Sequence, residues 1–314
     1  MDGREKLEPK KVLVCDSIDI EGIYQLKQAG IQVDIDSTIT PTQLEKVVVH
    51  YDALIVRSRT KVTKEILEAG TRLKAIGRAG VGLDNIDLQT AKQREISVLN
   101  TPEASAYAVA ELVIGLMFSV LRNIPLADKT MKEGKWIKKE LKGWQLREKT
   151  LGIIGFGGIG RIVGTIGHLA FNMKLLAYDP FITAETVEKL GGKLVSLEML
   201  LQEADVVSIH VPLLSATRHM IGKKELAMMK PTAILINASR GGTVDEQALF
   251  EALHSKKLKG AALDVYEVEP PTKFEILRLP NVVCTPHIGG QTMEARKAIS
   301  TILAKKLITT LKEK

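Results

Sequence analysis

Apolar residues along this chain fall into two alternating patterns. Short, mainly apolar runs of three to five read as strands, and longer stretches where apolar positions return every three or four residues read as helices. In the first third the runs Val12–Cys15, Ile31–Ile35, Ala53–Val56, Leu73–Ile76 and Ser97–Leu99 predict strands, with helices near Ile20–Ala29, Pro41–Val49 and Lys64–Ala69. Thr40 before Pro41 is a helix cap followed by proline at the first helical position, and Gly30 is a helix stop.

From Thr150 a second series begins. Its predicted strands are Leu151–Ile154, Lys174–Tyr178, Val206–Ile209, Ala233–Ile236, Gly260–Leu263 and Val282–Cys284, with helices over Gly158–Ala170, Ala184–Leu190 and Glu246–His254. The alternation predicts an α/β protein with mainly parallel, doubly wound sheets. A helix from about Glu103 to Leu121 is apolar on nearly every face, which predicts burial on all sides, between domains or between subunits. The basic stretch from Ile124 to Gly143 holds Trp136 and reads as an arm across a dimer contact. One amphipathic helix is expected from Thr292 to Leu311.

With 314 residues, two packed domains are expected. The net charge of +7 comes from Lys and Arg mixed with Asp and Glu along the whole chain. That predicts a solvated surface rather than a nucleic-acid binder, and the mild positive field suits an anionic cofactor and substrate. No segment reaches the ~20 continuous apolar residues of a membrane helix; the longest, Val109 to Val120, is interrupted by Glu111, Gly115 and Ser119. The charged N-terminus has no apolar signal core behind it, so a cytoplasmic protein is expected. Cys15 and Cys284 read as reduced thiols, and no Cys or His cluster has metal-ligand spacing.

The strongest local signal is the run from Thr150 to Gly160, TLGIIGFGGIG. It places Gly155-x-Gly157-x-x-Gly160 directly after an apolar strand and at the start of a helix, which is the context a dinucleotide fingerprint requires. Gly155 permits the tight turn, Gly157 close approach of backbone to a pyrophosphate, and Gly160 close helix–strand packing. The helix start supplies free N–H groups for phosphate. Asp179, after the strand LLAY, can accept from ribose hydroxyls and would repel a 2′-phosphate, so NAD is expected over NADP. His210 also follows a strand near the cofactor edge and is expected to shape the adenine side of the pocket.

Three further segments each begin at a predicted strand end: INASRGGTVD (236–245), ALDVYEVEP (262–270) and TPHIGG (285–290). Ligands of open α/β sheets bind beyond the carboxyl ends of strands. Arg240, Glu269 and His287 are therefore expected on one rim. Their chemistry is that of 2-hydroxy acid oxidation: histidine takes the hydroxyl proton, a carboxylate fixes its tautomer, and arginine clamps the substrate carboxylate.

With these segments in this order, nearly the whole chain resembles the D-isomer-specific 2-hydroxyacid dehydrogenases. The resemblance implies a Rossmann-type NAD domain (102–290) inserted in a flavodoxin-like substrate domain (1–101 plus 291–314). It implies that Arg240 binds substrate, that His287 is the acid/base with Glu269 as partner, and that Asp264 contacts the nicotinamide carboxamide beside Ala238, Ser239 and Arg240. Gly155, Gly157, Gly158, Ile159, Gly160, Asp179, His210, Val211, Pro212, His287, Gly289 and Gly290 would complete the cofactor site, with no metal. A homodimer is implied as well.

Within the family, LIVRSRTKV (54–62), GRAGVGLDNID (77–87) and LNTPEA (99–104) resemble the branch that oxidises D-3-phosphoglycerate to 3-phosphohydroxypyruvate in serine biosynthesis. Arg57, Ser58 and Arg78 follow strand ends and are candidates for a substrate phosphate, and the loop through Gly80 and Val81 for a carboxylate. The alternatives are a glyoxylate/hydroxypyruvate reductase or other D-2-hydroxyacid dehydrogenase, which needs no phosphate site, and an NAD-sensing scaffold without turnover. Three departures stand out: Gly158 where relatives often carry Arg, with Arg161 as a replacement; Ser239 where Ala is common; and Gln291 where Ser is frequent. The chain ends at Lys314 without room for a regulatory domain, so serine feedback through one is not expected.

Overall fold

The computed structural model describes residues 9–272 and 274–313. The charged N-terminal segment discussed above lies mostly outside the described residues. In chain order the elements are β1 (Lys11–Val14), α1 (Ile20–Gln28), β2 (Gln32–Ile35), α2 (Pro41–Val47), β3 (Ala53–Val56), α3 (Lys64–Ala69), β4 (Ala75–Arg78), α4 (Leu88–Gln93) and β5 (Ser97–Leu99). Then come α5 (Ala106–Leu121), α6 (Ile124–Lys132), β6 (Thr150–Ile154), α7 (Gly158–Phe171), β7 (Lys174–Tyr178), α8 (Ala184–Glu188), β8 (Lys193–Leu194), α9 (Leu197–Glu203) and β9 (Val206–Ile209). The series closes with α10 (Lys223–Met228), β10 (Ile234–Asn237), α11 (Glu246–His254), β11 (Gly260–Leu263), β12 (Val282–Cys284) and α12 (Met293–Glu313). The chain divides into two compact units: the described residues through Ser105 with those from Gly290 onward, and Ala106–Gly289.

The first unit is a five-stranded parallel sheet in the order β2-β1-β3-β4-β5, the flavodoxin-like arrangement. Its central strand β3 is buried at all four positions, while the edge strand β2 is not. One core lies on each face of the sheet. The face under α12 is filled by Ile299, Leu303, Ala304, Leu307 and Leu311, which share one side of that helix. The Thr40 cap forms as expected: its hydroxyl accepts from the Gln43 N–H, and the Gln43 side chain accepts from the Thr40 N–H.

The second unit is a seven-stranded parallel sheet, β12-β11-β10-β9-β6-β7-β8. Counted from β6, this is the Rossmann order with one strand added beyond the sixth. Strands β9, β10 and β11 are buried at every position, which explains their unbroken apolar runs. Strand order reverses between β6 and β9, so the crevice at that reversal lies at their carboxyl ends.

Helix α5 differs from the expectation. A 3₁₀ turn at Pro102–Ala104 precedes it, and the helix starts at Ala106. Val109, Ala110, Val113, Leu116, Met117 and Leu121 are buried, but Tyr107 is 71% exposed, and Glu111 and Gly115 are exposed with it. Within this chain the helix is covered on one side only. No single helix among the described residues is long and apolar enough to cross a membrane.

Candidate active site

The turn after β6 carries the glycine cluster. Gly155 has φ +88°, a conformation glycine adopts without strain, and a Cβ there would lie 2.7 Å from the His210 carbonyl oxygen. A Cβ at Gly160 would run into the Gly155 carbonyl, so only glycine lets α7 start this close to β6. Cβ atoms at Gly157 and Gly158 would meet nothing within 4 Å. Gly157 is the N-cap of α7 and no side chain caps that end. Open space over uncapped N–H groups is the arrangement that receives a pyrophosphate.

Asp179 follows β7 and already holds this loop: Oδ2 accepts from the Phe156 N–H and Oδ1 from the Phe181 N–H, both at 2.9 Å. Arg161 Nε donates to the Phe156 carbonyl at 3.0 Å, so that side chain braces the same loop. His210 lies across the reversal from Gly155, with Nε2 2.8 Å from Ser208 Oγ. Its Nδ1 is buried without a hydrogen-bond partner among the described residues, and burial pushes its pKa down to about 3. His210 is therefore a neutral ring with one polar atom unsatisfied, at the edge of the cradle. The residues fit a dinucleotide.

Three loops beyond β10, β11 and β12 form the second half of this site. His287 Nδ1 lies 2.7 Å from Glu269 Oε2, and Glu269 Oε1 accepts from the Tyr266 N–H at 3.1 Å. Burial works to raise the Glu269 pKa. The hydrogen bond and charge of His287, the Tyr266 N–H and the nearby Arg240 outweigh it and hold the carboxyl below its usual range. Arg240 Nη1 donates to the Ser239 carbonyl at 2.6 Å. A Cβ at Gly241 would collide with the Tyr266 carbonyl, so glycine lets the Arg240 loop touch the loop carrying Glu269. Glu246 and Glu267 tie the same loops, each accepting the other's N–H at 2.6 and 3.2 Å. His219 Nε2 lies 3.0 Å from Glu267 Oε1.

Asp264 is 1% exposed and sits beneath the His287 turn. Its Oδ1 accepts from Thr285 Oγ1 at 2.6 Å and the Ile288 N–H at 2.8 Å, and its Oδ2 from the Gly289 N–H at 2.9 Å. These bonds hold the backbone around His287, which has φ +54°, a conformation costly for a residue with a Cβ.

In the first unit, Arg57 follows β3. Its backbone N–H donates to Asp16 Oδ2 at 2.5 Å, and its Nη1 to the Ser17 carbonyl at 3.5 Å. Burial and the neighbouring Arg296 of α12 lower the Arg57 pKa, against the pull of Asp16. Arg59 is a structural group: it pairs with Asp16 at 2.8 Å and donates to the carbonyls of Ile39 and Cys15. Arg78 ends β4 and folds back over Gly80, where a Cβ would strike its Nη1. The Gly80 carbonyl accepts from the Thr101 N–H and the Val81 carbonyl from Asn100 Nδ2, which pins the loop.

The D-isomer specific 2-hydroxyacid dehydrogenase, NAD binding domain model matches residues 114–289. The D-3-phosphoglycerate dehydrogenase of Methanocaldococcus jannaschii is 45% identical over 303 residues, covering 96% of this chain and 57% of that protein. The hydroxypyruvate reductase of Thermotoga maritima is 48% identical over 305 residues, covering 96% of this chain and 98% of that protein. A crystal structure of a glyoxylate reductase from Paecilomyes thermophila superposes with a TM-score of 0.89 at 31% identity, covering 96% of this chain and 95% of that one. The chain belongs to the D-isomer-specific 2-hydroxyacid dehydrogenases.

As a member of that family it carries the family's NAD-binding domain in its second unit. The chain spans little more than half the length of the phosphoglycerate dehydrogenase it matches and nearly all of the reductase. Sequence reasoning missed Thr285 as a support of the His287 turn and Arg296 as a neighbour of Arg57. Arg296 lies in an amphipathic helix with no motif around it, and its meeting with Arg57 joins positions far apart in the chain. Thr285 stood inside the TPHIGG segment, so its place was visible but its bond to Asp264 was not.

Proposed function

We propose that this dehydrogenase oxidises D-3-phosphoglycerate to 3-phosphohydroxypyruvate with NAD, reversibly, at the entry to serine biosynthesis. The observation that carries the chemistry is the 2.7 Å contact between His287 Nδ1 and Glu269 Oε2. With Nδ1 committed to a carboxylate, Nε2 is the nitrogen left for substrate. In the oxidative direction His287 Nε2 takes the proton of the C2 hydroxyl, and Glu269 stabilises the resulting imidazolium. Arg240 binds the substrate carboxylate and turns C2 toward the cofactor. Bound NAD supplies the acceptor for the hydride leaving C2. Gly155, Gly157, Gly158, Ile159 and Gly160 hold its pyrophosphate and Asp179 its ribose. His210, Val211 and Pro212 line its adenine side, and Ala238, Ser239, Asp264, Gly289 and Gly290 the nicotinamide side.

The phosphate is assigned to Arg57, Ser58 and Arg78, with the N–H groups around Gly80 and Val81 near the carboxylate. Several relatives named D-3-phosphoglycerate dehydrogenase support this substrate. The second reading is a hydroxypyruvate reductase, favoured by the near full-length match to the Thermotoga maritima enzyme. A cytoplasmic homodimer completes the proposal. The exposed side of α5 and Trp136, 77% exposed after α6, are the surfaces that second copies would cover.

The test is NADH formation from D-3-phosphoglycerate, D-glycerate, glycolate and D-lactate, with the matching keto acids in reverse. A strong preference for the phosphorylated pair is expected. Preference for hydroxypyruvate moves the substrate to the second reading, and tight NADH binding without turnover makes the chain a sensing scaffold. Light scattering on the eluted protein gives the oligomer.

A further inference from the structure

The strands that end in the catalytic loops begin at a cavity. Pro231 and Thr232 precede β10, Lys259 precedes β11 and Asn281 precedes β12, and these residues line a cavity of about 540 Å³ with Trp144, Leu253, His254, Lys256, Leu258, Leu279 and Pro280. None of its lining residues belongs to the dinucleotide cradle or the catalytic loops. Those lie at the opposite ends of the same strands, about 13 Å away for a four-residue strand.

Its walls are fixed. Asn281 Nδ2 donates to the carbonyls of Lys259 at 3.2 Å and Leu253 at 3.5 Å, joining the end of α11 to the starts of β11 and β12. The Trp144 N–H donates to the Leu121 carbonyl at 3.0 Å, anchoring the ring at the end of α5. Leu253, Leu258, Leu279, Pro231 and Pro280 make the lining largely apolar, and two buried leucines, Leu253 and Leu258, give it depth.

The charged part is of one sign. Lys256 and Lys259 line the cavity and no Asp or Glu does. Among the described residues neither Lys256 nor Lys259 has an ion pair, whereas Lys64, Lys132 and Lys189 each pair with an acid four residues away. Lys259 Nζ instead lies 4.4 Å from the centre of the Trp144 ring, and Lys149 Nζ 5.0 Å from it. A ring face orients an ammonium group but leaves its N–H donors and net charge to be satisfied elsewhere. An apolar cavity of this size with convergent donors of one charge is how a small-molecule site is built.

We propose that this cavity is a second binding site, for a small organic anion whose apolar body lies on the leucine and proline lining and whose carboxylate, sulfonate or phosphate meets Lys256 and Lys259. Such a ligand binds together with the dinucleotide, because the two sites lie at opposite ends of the sheet.

The test uses 8-anilinonaphthalene-1-sulfonate, an aromatic body with one anionic group. The chain has two tryptophans, so Trp136→Phe leaves Trp144 as the sole donor for energy transfer to the probe. In saturating NAD, one saturable site with transfer from Trp144 is expected, weakened at least tenfold by Lys256→Glu and by Lys259→Gln. Thermal melting with and without NAD shows that each variant is folded and still binds the dinucleotide. Release of the probe by NAD, or titration of both variants like the parent, overturns the proposal.

Discussion

Glu269 and His287, 18 residues apart in sequence, meet at 2.7 Å because β11 and β12 are parallel neighbours whose loops leave the sheet at the same end. The contact leaves one imidazole nitrogen for substrate, and Glu269 remains ionised below the usual carboxylate range.

Glu269→Gln keeps the side-chain shape and removes the charge. Steady-state kinetics should show kcat falling about 10²- to 10³-fold with little change in NAD affinity. The folded pKa of Glu269 is lowered, so its stabilising contribution is present above the unfolded value and is lost as pH falls through the lower folded one. Urea midpoints of parent and variant should therefore differ near neutrality and converge in acid. A constant gap across that range would remove the pair from the stability argument.

Thr285→Val deletes the hydroxyl that donates to buried Asp264 at 2.6 Å and leaves the two backbone donors in place. The turn carrying His287 loosens, and kcat should drop about tenfold, equivalent to roughly 1.4 kcal/mol in the barrier. The NAD dissociation constant should hold. Weakened NAD binding with unchanged kcat would make Thr285 a cofactor-side residue instead.

Gly241→Ala places a methyl group against the Tyr266 carbonyl, backbone that cannot swing aside. The variant should lose roughly 1–3 kcal/mol of stability and more activity than stability predicts, because the Arg240 loop is pushed from Glu269. Calorimetry with assays well below the melting point separates the two effects. Gly157→Ala, whose Cβ meets nothing in the protein, should melt normally and bind NAD weakly.

Arg57 and Arg296 come from different ends of the sequence, and within the first unit the Arg296 charge helps lower the Arg57 pKa. Arg57→Ala and Arg296→Gln should each raise KM for D-3-phosphoglycerate at least tenfold, with under threefold change for D-glycerate. Equal effects on both acids would mean that neither arginine reads the phosphate.

Asp179→Ala removes the carboxylate that holds the Phe156 and Phe181 N–H groups. The ratio of kcat/KM for NAD over NADP should fall at least tenfold. An unchanged ratio would leave Asp179 as a loop brace alone.

Much of the fold was legible in the sequence because its signals are local. Strands buried on both faces require unbroken apolar runs, and β3, β7, β9, β11 and β12 lie within the expected bounds. Gly155 and Gly160 were legible for the same reason: a turn and a close approach demand glycine wherever the rest of the chain goes. Short elements were legible only in part: α3 and α8 lie where helices were expected, whereas α4, α9, α10 and the two-residue edge strand β8 were not singled out. Local caps help decide such elements: Asp87 caps α4, and the Glu225 side chain accepts from the Gly222 N–H before α10. In the site, Asp179 and Asp264 stood out at strand ends, but their partners in the protein did not: the Asp179 carboxylate braces the glycine loop and that of Asp264 supports the His287 turn. Arg59, one residue from the Ser58 assigned to phosphate, is spent on Asp16. The sequence by itself determined which elements form and which chemical groups stand at their ends. Tertiary structure alone decided which of those groups meet, because a carboxylate buried under a turn more than twenty residues away leaves no periodic trace in either segment.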